Sequence, residues 1–270
     1  MYISLPSDGG GALFRNNTTS KYIVKLPKEV KLQRGEFQIG MVSCSWPFNF
    51  DNVPAFSLTV GVMIGGSLIT APPVQFYGGY FRKLQDLLDR LNDTLNAAAL
   101  DVPETVSVAR DENGHICLFK TTSNGKVTFE KTTTDPDVGG VYVGLSEALH
   151  AKLGFVIEPS MTSFVWMTTG TTGAYYPDLD AGLSSIYVYC SAMRPERIVA
   201  DRLCKVLRIL PITGDPSRNV YYQPNHVEYF QMSTNHFDEI SVELRDDRGE
   251  LIPFKGGKVV IDLHLKKRFI

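Results

Sequence analysis

Histidines, cysteines and a few carboxylate pairs are the residues of this 270-residue chain that could do chemistry, and their spacing decides which chemistry is open to them. His115, His150, His226, His236 and His264 form neither an i,i+4 pair nor a His-x-His. Those are the spacings that would offer two imidazoles to one metal. His226 and His236 stand ten apart and could meet across strands; otherwise they read as hydrogen-bonded edge histidines. Cys44, Cys117, Cys190 and Cys204 are scattered, the pattern of buried thiols rather than of disulfides or metal ligands. Cys190 in particular lies in an apolar run and reads as core.

Nucleophile and phosphate motifs are equally thin. Gly144-Leu145-Ser146-Glu147-Ala148 matches a nucleophile elbow only at its first and third positions, and its flanks favour a helix cap at Ser146. Gly125-Lys126 and Gly257-Lys258 are each followed by valine, not by the hydroxyl residue a phosphate loop requires. Asp246-Asp247 reads as turn chemistry, and Asp178 with Asp180 as a solvated loop. No catalytic set, metal set or cofactor motif emerges, so the expectation is a protein that is not an enzyme.

Aromatic surface remains. Phe76, Tyr77, Tyr80, Phe164, Trp166, Tyr175 and Tyr176 lie in or beside Gly/Thr/Pro-rich segments. Such rings either roof a core or form a protein-binding rim or a sugar platform. Phe164, Trp166, Tyr175 and Tyr176 are the candidate interface residues.

The elements that must position them are mostly strands. Ile240, Val242 and Leu244 alternate with Ser241, Glu243 and Arg245, and Val259, Ile261, Leu263 and Leu265 alternate with polar neighbours. The period of two puts each apolar set on one face. Asp246 to Gly249 reads as the turn joining the two into a terminal antiparallel pair within Phe237–Lys267, which other strands must complete. Further strands are expected at Tyr2–Leu5, Tyr22–Leu26 (stopping at Pro27), Phe37–Trp46, Leu58–Ile64 and Leu68–Ile69 around a Gly65-Gly66 turn. Ile186–Cys190, Leu207–Ile212, Val220–Gln223 and Val227–Met232 continue the series. One helical stripe, Phe81, Leu84, Leu87, Leu88, Leu91 and Leu95, precedes Pro103. A short helix is expected from Ser146 to Leu153 with Gly154 as its left-handed cap. Between the helices, Val106–Val108, Ile116–Phe119 and Val127–Glu130 read as strands with Asn-Gly turns, and residues 161–183 as an exposed loop. The fold class is mostly β: a β-sandwich of one domain, with a small α+β insertion over 75–160.

Bulk composition narrows the partners. A net charge of -2 with no basic run argues against nucleic acid, which needs clustered Lys and Arg; Lys266-Lys267-Arg268 reads as a solvated tail. No basic-then-apolar leader opens the chain, and no apolar run reaches the roughly 18 residues of a membrane span. The acceptor triplets at Asn16, Asn17 and Asn92 are therefore expected to be unglycosylated, in a reducing, soluble compartment.

Two regions carry a family resemblance. One is Tyr2–Pro6, Asn17–Ser20, the Tyr22–Pro27 strand, and Gly35–Val42 running into Trp46-Pro47. The other runs from Ser185 through Tyr189 and Cys190, Ile198-Val199-Ala200-Asp201 and Leu207–Pro211 to Phe237–Leu265, with Leu153-Gly154-Phe155 between the regions. In this order they resemble the minor capsid, or penton, proteins of Polinton/Maverick elements and adintoviruses. The resemblance implies a single jelly roll over 1–270 with the 75–160 region inserted, and homopentamers at the five-fold vertices of an icosahedral capsid. It also implies a double jelly-roll major capsid (hexon) protein as partner and residence in the virion. Synthesis would be in the host cytoplasm, with nuclear assembly an option. The alternative is a ligand- or receptor-binding, lectin-like jelly-roll module.

Overall fold

The computed structural model describes residues 1–9, 13–33, 36–100, 110–156, 164–181, 183–216 and 218–268. The chain divides into two compact units, Met1–Phe50 with Gly182–Ile270, and Asp51–Ala181. In chain order the first unit contributes β1 (Tyr2–Pro6), β2 (Lys21–Lys31) and β3 (Phe37–Pro47). The second holds β4 (Phe56–Ile64), β5 (Ser67–Thr70), β6 (Val74–Phe76), α1 (Leu84–Leu100), β7 (Cys117–Thr121) and β8 (Val127–Lys131). It continues with β9 (Val138–Ser146), α2 (Glu147–Lys152), β10 (Phe164–Thr168) and β11 (Thr171–Thr172). The chain then returns to the first unit with β12 (Ser185–Cys190), β13 (Arg197–Val199), β14 (Arg202–Cys204) and β15 (Val206–Pro211). It ends there with β16 (Asn219–Tyr222), β17 (Phe230–Gln231), β18 (His236–Arg245) and β19 (Val260–Lys267). The protein is mostly β, and its sheets are antiparallel.

In the first unit one sheet runs β1-β19-β3-β16, with β17 also on β3, and the other runs β15-β12-β18-β2. Period-two patterning fills the space between them. Ile186, Val188 and Cys190 of β12, Ile240, Val242 and Leu244 of β18, and Ile261, Leu263 and Leu265 of β19 are all buried. The sheets face each other across these side chains. Tyr22 of β2 donates its hydroxyl to the Leu5 carbonyl of β1, 3.2 Å away in the opposite sheet. Burial first, then the neighbouring thiols Cys44 and Cys190, push the Tyr22 pKa well up.

The terminal antiparallel pair expected from the sequence does not form. β18 lies between β12 and β2, whereas β19 lies between β1 and β3, in the other sheet. The turn chemistry is as expected: Asp246 Oδ1 accepts from the N–H groups of Arg248 and Glu250, and Gly249 has φ +84°. The pairing then ends after one bridge, Arg245 to Leu251. Each strand gains two complete ladders by parting from the other, and each apolar face is buried against the opposite sheet. β2 likewise does not stop at Pro27. It is an edge strand, and its register with β18 shifts between Phe237 and Glu239, so Pro27 falls in a bulged stretch where no ladder N–H is required.

The second unit packs α1 beside a sheet of order β10-β9-β4-β5, with β6 on β4, and a sheet of order β11-β8-β7. The helical stripe buries Leu87, Leu88, Leu91 and Leu95, as the spacing predicts. Phe81 is buried just ahead of the helix, where the Asn52 amide bonds both its N–H (2.8 Å) and its carbonyl (2.9 Å). Gly65 and Gly66, both at positive φ, turn β4 into β5. Ser146 caps α2 through the Leu149 N–H, and Gly154 follows at φ +84°. The expected strand Val106–Val108 lies outside the described residues. Residues 161–183 are not simply an exposed loop: β10 pairs with β9, and β11 with β8. Thr and aromatic side chains suit a half-buried pleat, so this Thr-rich stretch forms strands.

Candidate interaction surfaces

The candidate chemical residues are taken up by structure. His236 Nε2 lies 3.1 Å from Glu29, while the His226 carbonyl accepts from Arg208, so the two histidines serve separate contacts. His150 is buried against Phe155, and burial lowers its pKa. His264 stacks on Tyr2 at 4.5 Å and shares a 2.8 Å hydrogen bond with the Tyr229 hydroxyl. Burial, then the terminal amine and Lys266, hold its pKa down. Burial pushes the Cys117 thiol up to about 12 and Cys190 to about 11, and lifts Cys44 further still. Thiols so placed are packing groups at neutral pH, not nucleophiles. Asp247 accepts from the Ser184 N–H and hydroxyl, Asp178 from the Asp180 N–H, and Asp180 from Asn52. Lys126 reaches the Ala174 carbonyl and Lys258 pairs with Asp8. Among the described residues no three His, Cys, Asp or Glu side chains are grouped to hold a metal ion. No helix among them is long and apolar enough to cross a membrane.

The four candidate interface residues sit on two different elements. Phe164 opens β10 opposite Ser146 of β9. Trp166, two residues on, is 41% exposed and leans across β9 as far as β4, where its ring would meet a Cβ on Gly61 at 3.5 Å. Leu68, itself exposed, reaches the same point from β5. Register places Thr59, Gly61 and Met63 of β4, Gly140, Tyr142 and Gly144 of β9, and Thr168 of β10 on this outer face, with Leu68 and Thr70 of β5. The opposite face carries Val60, Val62, Val141, Val143 and Met167 into the core. None of these outward residues is an Asp, Glu, Lys, Arg or His. Trp166 therefore belongs to an uncharged face bearing rings and hydroxyls.

Tyr175 and Tyr176 are exposed on the segment after β11. Tyr175 donates its N–H to the Gly154 carbonyl at 2.9 Å, and the Tyr176 ring lies over Gly125. They stand at the end of α2 and the β7–β8 turn, not on the Trp166 sheet.

Sequence reasoning missed two surfaces of the first unit. β13 and β14 form a two-stranded hairpin in which Ile198 pairs directly with Leu203, and both are exposed, at 71% and 63%. The second surface is an open groove lined by Met1, Tyr2, Ile3, Leu26, Pro27 and Val30, with Lys28 as its cation, between edge strands β1 and β2. The signal for the hairpin was present: Arg197-Ile198-Val199 and Arg202-Leu203-Cys204 alternate about a two-residue turn.

No protein-family model matches the sequence, and no curated protein matches it. Among solved structures, the crystal structure of the mavirus penton protein is similar to this chain at a TM-score of 0.47 and 10% identity, covering 99% of this chain and 100% of that one.

Proposed function

We propose that this chain is a minor capsid (penton) protein of the Polinton/Maverick and adintovirus kind. In this reading it is a single jelly roll with the second unit inserted between β3 and β12. It forms homopentamers at the five-fold vertices of an icosahedral capsid, beside a double jelly-roll major capsid protein. The observation that carries the proposal is the strand order. Taken along the chain, β1, β2, β3, β12, β15, β16, β18 and β19 fill two facing sheets in the orders β1-β19-β3-β16 and β15-β12-β18-β2. Eight antiparallel strands folded as two Greek keys give this arrangement. It leaves β1 and β2 as free edges on one flank and β15 and β16 on the other, and a body with two unlike flanks can repeat head to tail into a closed ring. The sequence resemblance supports the same assignment.

Electron microscopy and light scattering of the purified chain test it. Five subunits of 30.0 kDa give a ring of about 150 kDa. A chain that stays monomeric at all concentrations, and is not retained in shells when co-expressed with the major capsid protein, would count it out.

The uncharged Trp166 face favours a second reading, in which the inserted unit binds an uncharged ligand such as a glycan at the particle surface. Binding on a glycan array that is lost in Trp166→Ala is the expected outcome there.

A further inference from the structure

We infer that neighbouring copies join by seating the β13–β14 hairpin of one in the β1–β2 groove of the next. The inference rests on the ring-forming reading and names the contact within it. The hairpin presents two apolar side chains, Ile198 and Leu203, directly opposite one another and turned to solvent. An isolated exposed Leu or Ile is ordinary, but a cross-strand pair on a two-stranded projection is an apolar knob. The groove is its counterpart: Tyr2, Leu26, Pro27 and Val30 provide apolar walls.

Position makes the two complementary. The terminal amine of Met1, at the groove, donates to the Leu265 carbonyl (2.9 Å). Leu265 pairs with Ile39, and Ile39 pairs with Phe230. The guanidinium of Arg197, at the foot of the hairpin, lies 5.3 Å over the Phe230 ring and bonds Glu228. One rung of the sheet thus runs from the groove to the foot of the hairpin. The groove and the foot of the hairpin lie on opposite flanks, three strand spacings or about 15 Å apart. A contact between unlike flanks repeats head to tail and gives a ring when the rotation per copy closes.

The hairpin turn carries Asp201 paired with Arg202 at 3.7 Å, both exposed, while Lys28 and the terminal amine of Met1 stand at the groove. Two aliphatic side chains fall well short of the roughly 800 Å² per partner of a stable contact. On the flank that bears the hairpin, the adjoining edges supply more, with Ile209 and Tyr221 exposed on β15 and β16.

The test uses complementary double variants of the full chain, followed by sedimentation equilibrium. Ile198→Asp with Leu203→Asp spoils the knob; Tyr2→Asp with Pro27→Asp spoils the groove. All four are exposed, and thermal unfolding checks that each variant keeps the wild-type fold. Each double variant alone should assemble at least about tenfold more weakly than wild type. An equimolar mixture retains one good knob and one good groove, so it should form a two-chain species and no ring. If wild type forms rings and both double variants form them equally well, this contact is wrong and the capsid reading stands. If the groove variant alone still assembles while the knob variant does not, the contact is hairpin to hairpin, which also overturns the inference. If wild type itself never associates, both fall.

Discussion

Asn92 and Phe119 are joined twice: the Asn92 amide donates to the Phe119 carbonyl at 2.9 Å, and the Phe119 N–H donates to the Asn92 side-chain oxygen at 2.7 Å. The side chain of α1 thereby takes the place of a neighbouring strand for one residue of β7. It also gives the Asn92 acceptor triplet a structural explanation. Removing the amide strands two backbone groups, each costing about 1–3 kcal/mol when buried without a partner. Asn92→Ala should lower stability by about 3 kcal/mol, read as a shift in the urea midpoint of the second unit. Asn92→Asp keeps the acceptor and should lose less. Equal stability in all three proteins would mean that the bridge contributes nothing.

Gly154 is the second point at which one residue fixes a long reach of chain. It has φ +84°, and a Cβ there would strike the Tyr175 carbonyl. Gly154→Ala therefore adds left-handed strain of about 1–2 kcal/mol to a clash with backbone. The expected result is a lower melting temperature together with faster proteolysis at 173–176. Unchanged cleavage there would show that the segment is held by other contacts, such as Lys126 to the Ala174 carbonyl.

These two positions show what a sequence discloses and what it withholds. Gly154 was legible because a left-handed cap after a short amphipathic run needs glycine. The faces of β12, β18 and β19 were legible because alternation states which side chains turn inward. Alternation does not state which strand lies alongside, and so β18 and β19, which read as neighbours, are in opposite sheets. β9 was hidden by Gly139, Gly140 and Gly144, which lower strand propensity while leaving room on the Trp166 face. Ile198 and Leu203 were overlooked because their two strands are only three residues each, although the alternation about the two-residue turn was there to read.

Acid should weaken the fold first through His150 and His264. Burial lowers the pKa of His150, and burial with the terminal amine and Lys266 lowers that of His264. For such groups the unfolded chain takes up the proton first. Their contribution is therefore complete above the unfolded value of about 6.5 and is lost as pH falls towards the lower folded value. Asp111 and Glu243 are also held low, against the burial that would raise them. Hydrogen bonds from the His115 and Asn113 N–H groups, and from Lys21 and Arg245, outweigh it. Their contribution is lost only at more acidic pH, below about 4.5. Urea midpoints should fall between pH 7.5 and 5.5, and the fall should be smaller in His150→Gln and His264→Gln. A pH-independent midpoint over that window in wild type would show that neither histidine is held neutral by the fold.

The two tryptophans allow the second unit's uncharged face to be followed by itself. Trp46 is 0% exposed in the first unit, and Trp166 is 41% exposed in the second. A water-soluble quencher such as iodide should reach one emitter and spare the other, giving a biphasic quenching curve in wild type. Trp166→Phe should leave only the blue-shifted, unquenched component with a stability change under about 1 kcal/mol, since an exposed ring contributes little to the core. The same signal then reads binding. A neutral oligosaccharide stacked on the Trp166 ring should protect it from iodide, and added salt should leave that protection unchanged because none of the described outward residues of the face is charged. Protection that vanishes with salt would mean that charged groups, not the uncharged Trp166 face alone, hold the sugar. Binding of the same neutral sugars, measured by calorimetry, that persists in Trp166→Phe would place their site away from this sheet.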